Sequence, residues 1–181
     1  MVKITITGLE QALKKIDMVP EKLQAGLVEA TKEMLLTMDG LTKQKLKETV
    51  QYGYGQIAGN NKQSIEEKPG KVTARFWNDS EIGSFREFGT GKVGEENNQG
   101  IAPDVNPTYT QYPWFIPVDQ VRLDLNQIYG MPVTDNKISD NFYITDGQPA
   151  RPWFYPATQK VIENHEKTLE HVINQKLREL E

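Results

Sequence analysis

Phe85-Arg86-Glu87-Phe88-Gly89-Thr90-Gly91 divides the chain into two different kinds of sequence. Ile82, Phe85 and Phe88 recur at helical spacing, so a short helix is expected to run into Gly89. Gly89 and Gly91 permit φ > 0, which ends that helix in a sharp corner. Phe85 and Phe88 are expected to anchor the corner on their aromatic side. Asn78-Asp79-Ser80 upstream reads as a turn and helix cap.

Working outward toward the N-terminus, Lys62–Glu67 and Lys71–Trp77 read as the arms of a hairpin around Pro69-Gly70. Tyr52–Asn61, with three glycines, reads as a loop. Leu23, Leu27, Ala30, Met34, Met38 and Leu41 form one stripe of a long helix, with Leu46 a further candidate. Pro20 suits its first position, and Gly40 is a candidate bend. Leu9, Leu13 and Ile16 predict a separate short helix, and Val2, Ile4 and Ile6 alternate as in a strand with one buried face. Toward the C-terminus, Gly91–Asp146 is rich in breakers. Tyr112–Val118, with two prolines, is expected to form an edge strand and Asn141–Thr145 a better one. A structureless loop of that length is unusual in a compact domain, so hairpin arms are expected. From Pro152 or Pro156 a last helix carries the stripe Val161, His165, Leu169, Val172, Ile173, Leu177 and Leu180. The elements predict an α+β fold. The 181 residues predict one domain, with 1–90 and 142–181 as its core and 91–141 as a projecting variable segment.

Composition removes several classes of function. The net charge of -4 offers no general attraction to nucleic acid or anionic lipid. The chain has no cysteine, hence no disulfide framework and no thiolate metal site. No apolar run approaches the ~18 residues of a membrane span. Asn78-Asp79-Ser80 matches a glycosylation sequon, but the alternating N-terminal stretch is not a signal peptide.

Specific chemistry is sparse. Gly89-Thr90-Gly91-Lys92-Val93-Gly94 matches G-x-G-x-x-G, but a helix is expected before it instead of a strand. Glu95-Glu96 follows, where a pyrophosphate would be repelled. The P-loop pattern fails at Val93. His165 and His171, six apart, lie on different helix faces, and His165 reads as a core histidine. Asp135-Asn136-Lys137 with Asp140 lacks the glycine and glutamate of a calcium loop. No Gly-x-Ser-x-Gly elbow is present. Glu81 and Glu87 could be drawn as an acid/base pair but read as solvated surface. No cofactor, metal or catalytic residue is assigned. The aromatics are the informative excess: Trp114 and Trp153 lie beside prolines at exposed-looking edges and are candidate interface anchors.

The order of these motifs resembles the small tail-completion or head–tail joining proteins of long-tailed double-stranded DNA phages, the tail-component family typified by the HK-ninety-seven gp-ten protein. The family's V-E-F-G-T-G turn is matched by Glu87–Gly91, with Arg86 in place of the apolar residue. Its later G-x-x-A-x-P-F-x-x-P-A helix start is matched loosely by Gly147, Ala150, Pro152 and Phe154–Ala157, with Trp153 where phenylalanine is usual. The region Gln51–Gly55 departs from the family pattern, and 91–141 has no residue-by-residue match. The resemblance implies a virion protein without a reaction. It would pack a small antiparallel sheet against the long N-terminal and C-terminal helices. It would assemble in the bacterial cytoplasm as a ring, commonly a hexamer, at the head–tail junction. There it would touch connector and tail tube or terminator proteins, with DNA only passing through the lumen and no membrane contact. The structural turn and assembly residues would be Phe85, Glu87, Phe88, Gly89, Gly91, Arg151, Pro152 and Phe154, with Glu87 expected to meet Arg151. The competing readings are a nucleotide-binding enzyme built on Gly89–Gly94 and a monomeric binding module.

Overall fold

The computed structural model describes residues 9–49, 53–134 and 141–179. The strand expected at Val2–Thr7 lies outside them. In chain order the elements are α1 (Leu9–Thr49), α2 (Tyr54–Ala58), β1 (Asn61–Lys68), β2 (Lys71–Asn78), α3 (Glu81–Phe88), α4 (Gly91–Glu96), β3 (Trp114–Pro117), α5 (Leu125–Tyr129), β4 (Phe142–Thr145), β5 (Gly147–Gln148) and α6 (Phe154–Arg178). A single 3-10 turn covers Val118–Gln120. The fold is α+β, with two small antiparallel two-stranded sheets, β1–β2 and β3–β4, and a long helix toward each end of the chain.

Contacts gather into two compact units. The first holds Met1–Gln44, Tyr54–Asp79 and Ala157–Glu181; the second holds Lys45–Gly53 and Ser80–Pro156. The described residues of 91–141 belong to the second unit.

In the first unit α1 and α6 run antiparallel. Lys22 pairs with Glu179 at 2.6 Å and Lys176 with Glu29 at 2.7 Å, while Thr158 lies by Met38. Gly26 allows close approach: a Cβ there would stand 3.3 Å from Ile173 Cγ1. Ala30, Leu35, Met38, Ile57, Ala58, Ala157 and Val172 are the buried apolar residues of this unit.

The hairpin lies along the middle of α1, between Gln24 and Thr42. Its tip is held by Gln24, whose amide donates to the Lys68 carbonyl (3.2 Å) and whose oxygen accepts from the Gly70 N–H (3.0 Å). Its base is held by Asn61, whose amide donates to Asp39 Oδ1 (2.9 Å) and Thr42 Oγ1 (3.1 Å). The helix from position 24 to 39 rises about 22 Å, and β1 from Asn61 to Lys68 spans about 23 Å. The register runs from Asn61↔Asn78 to Lys68↔Lys71, closing on the two-residue Pro69–Gly70 loop with Gly70 at φ 70°. The expected hairpin is therefore present, one residue longer at each end of β1 and at the end of β2.

Three local expectations change. α1 is one helix and Pro20 lies inside it, not at its start. Pro20 is exposed, so the ~3 kcal/mol cost of a mid-helix proline is borne on the wet side and offset along the remaining stripe. The helix continues through Gly40 to Thr49. Tyr54–Ala58, expected as loop, is a helical turn that buries Ile57 and Ala58. His165 is exposed instead of buried, because the whole run Ile162–Lys167 is exposed and that turn of the α6 stripe is left uncovered.

Candidate functional site: a carboxylate clamp at a glycine corner

The second unit is organised around α3. Ser80 caps it, its hydroxyl accepting from the Gly83 N–H at 3.2 Å. Its inward face is not the aromatic one. Gly83 and Glu87, one turn apart, are buried, with Glu87 5% exposed, whereas Ile82 is 54% and Phe85 50% exposed. The expectation that Phe85 anchors the corner is reversed, and Phe88 is only partly covered. At Gly83 the Trp153 indole meets the helix backbone, where Nε1 donates to the Gly83 carbonyl at 3.0 Å.

Glu87 fills the space beside that contact. Oε2 accepts from the N–H groups of Trp153 (2.7 Å) and Phe154 (2.8 Å), and Oε1 accepts from Tyr155 (2.9 Å). These groups form the start of α6. A helix leaves its first N–H groups without intrahelical partners. Glu87 takes three in succession, and the next residue, Pro156, has no N–H to satisfy. A carboxylate is also the group favoured by the positive end of the helix dipole. The cap comes from 66 residues away. Glu87 is thus neither solvated surface nor half of an acid/base pair with Glu81. The expected pairing with Arg151 is not formed; instead the Arg151 N–H donates to the Arg86 carbonyl at 2.8 Å.

The glycines close the corner. Thr90 and Gly91 bridge Gln148 and Gly147 in antiparallel fashion. Gly89 and Gly91 have φ 76° and 62°, and Gly147 has φ 113°. A Cβ on Gly91 would stand 2.1 Å from the Asp146 carbonyl oxygen, and one on Gly147 1.9 Å from that of Thr90. At Gly89 it would meet Ala150 N at 2.7 Å and at Gly94 the Gly89 carbonyl carbon at 2.8 Å. All three glycines of the G-x-G-x-x-G match are therefore approached by the chain's own returning backbone, where a dinucleotide site would need them to face a pyrophosphate. Tyr109 fastens the following extended stretch, its hydroxyl donating to the Phe88 carbonyl at 2.8 Å.

Of the two candidate interface tryptophans, only Trp114 stays exposed, at 38%. It lies in β3 and pairs with Thr145. Trp153 is 2% exposed and stacks edge-on against Phe154 at 5.5 Å, so its interface assignment is withdrawn. Its proline neighbours suggested an edge, but the indole N–H acceptor on Gly83 draws it inward. Pro152 and Phe154 are partly buried.

Arg86 is an unassigned member of this corner. Burial pulls its guanidinium below the usual range, the neighbouring Arg151 charge adds to that, and Tyr129 pushes the other way. Tyr129 hydrogen-bonds the side chain, while Nη1 is buried without a hydrogen-bond partner among the described residues.

Among the described residues, no group of three or more His, Asp or Glu is arranged to hold a metal ion, and no helix is long and apolar enough to cross a membrane. No protein-family model, curated protein or solved structure matches this chain.

Proposed function

We propose that this chain is a structural joining protein of a tailed double-stranded DNA phage particle. In this reading it assembles as a ring, with six copies the expected number, between the head-side connector and the tail tube or its terminator. It performs no reaction, and DNA passes through the lumen without being held. One observation carries the reading. The two stretches that bear the family resemblance, Glu87–Gly91 and Gly147–Ala157, lie far apart in sequence yet meet as one clamp, with Glu87 capping the helix that the second stretch begins. Motif residues engaged in scaffolding fit a structural part better than a catalyst.

Two further features favour a partner-bound state. Among the described residues each sheet has two strands, and such sheets are marginal without added cover. Large side chains stand exposed on both: Trp77 at 39% on β2, and Trp114 at 38% and Phe115 at 57% on β3. Interface anchors have this composition. The acidic balance also suits a passage for DNA, since holding phosphates would require clustered Lys and Arg.

The test has two parts. Mass spectrometry of purified particles should find the chain in stoichiometric amount, and sedimentation across protein concentration, with and without tail tube protein, should show a ring. Absence from particles overturns the reading. A rise in melting temperature with nucleotides that inorganic phosphate does not reproduce would favour an enzyme in its place.

A further inference from the structure

The corner holds one polar group that neither the clamp nor the assembly uses. Arg86 Nη1 is buried without an acceptor among the described residues. The carboxylate next to it in sequence is unavailable for pairing with it in full, because Glu87 is committed to three backbone N–H groups. Arg151, linked to Arg86 by its backbone N–H at 2.8 Å, adds a second guanidinium charge instead of neutralising the first. Tyr129 hydrogen-bonds the guanidinium on its other side, which leaves Nη1 as the unsatisfied donor. A buried, charged donor without an acceptor is costly, and a like charge beside it adds to the cost. Both arginines are only partly buried as residues, so the pair keeps a solvent-facing side. Planar guanidinium groups match an oxyanion in a forked geometry.

We propose that Arg86 and Arg151 form a receptor for a single oxyanion group, a carboxylate or a phosphate, which supplies the acceptor that Arg86 Nη1 lacks. Tyr129, 42% exposed at the end of the five-residue α5, is the side chain that shifts to admit it. The inference is independent of the virion reading and survives if that reading fails.

The experiment titrates the full chain with sodium acetate and with inorganic phosphate against sodium chloride at equal ionic strength, following the melting temperature. One of the two oxyanions should give a saturable rise of roughly 3–5 °C at ten times its dissociation constant. The one that does so identifies the group as carboxylate or phosphate. Arg86→Met should abolish the rise. Arg151→Gln should weaken the rise about tenfold in concentration. Two results would overturn the receptor. One is no saturable rise with either oxyanion. The other is a rise retained in both variants.

Discussion

The hairpin on α1 and the clamp on α3 solve the same problem in opposite ways. Both fix a short element against a long helix. The hairpin does so along its length, with polar side chains at each end and local β1–β2 pairing between. The clamp does so at one point, with a buried carboxylate and glycines that admit backbone to backbone contact. The first arrangement spreads its stability over many small contacts; the second concentrates it in a few groups that have no substitute. The two regions should therefore respond differently to mutation.

The largest contrast should come from the glycines. Gly89→Val or Gly91→Val sets a β-branched side chain at positive φ against backbone atoms that cannot retreat, and should remove more than about 4 kcal/mol. The expected outcome is insoluble protein or loss of a cooperative urea transition. At Gly70, the hairpin counterpart, a Cβ would meet nothing within 4 Å, so Gly70→Asn should fold with nearly parental stability. Equal damage at both sites would erase the distinction.

Next in size is Glu87→Ala. It strips three N–H groups of their acceptor inside a buried site and should cost about 3 kcal/mol by urea denaturation. Glu87→Gln keeps the shape and should lose less. Trp153→Phe removes the indole N–H to Gly83 and part of the ring that fills the corner, and should cost about 2 kcal/mol. If Trp153→Phe proves the worse of the two, the indole and not the carboxylate holds the corner.

The smaller effects belong to α1. Gly40→Ala should raise stability by up to about 1 kcal/mol, because the helix is continuous there and a Cβ meets open space. Burial alone would push Asp39 up, but hydrogen bonds from Lys43 and Asn61 overcome it and hold the carboxyl below its ordinary value. A depressed carboxyl contributes stability that is present above the unfolded value and lost as pH falls through the folded one. Acid titration below about pH 4 should therefore loosen the hairpin base, reported by Asn61 amide shifts, and Asp39→Asn should remove that pH dependence.

These contrasts follow how the sequence could be read. The hairpin was legible because its signals are local: alternation on either side of Pro69-Gly70. Ser80 as a cap and the left-handed glycines of the corner were legible for the same reason. The inward face of α3 was not. Periodicity assigned Ile82 and Phe85 to the core, but a buried Glu87 answers to a helix start 66 residues away, which no local window contains. One sequence signal could have found it. Ala150–Pro156 opens α6 with no Ser, Thr, Asp or Asn to cap it, so the acceptor had to come from elsewhere. The three glycines of the corner raised the right suspicion of close backbone approach. What approaches them is the chain itself.

The distance spanned by that cap also sets an order of events during synthesis. Glu87 leaves the ribosome well before the N–H groups it binds, and closing a loop of this length carries an entropic cost that the short β1–β2 turn avoids. The hairpin can form as soon as Asn78 emerges. The corner must wait for Tyr155, and until then α3 carries an unsatisfied charge on the face it later buries. Folding of the second unit is thus gated by its last residues, and a truncation ending before Trp153 would leave the corner without the partner that defines it.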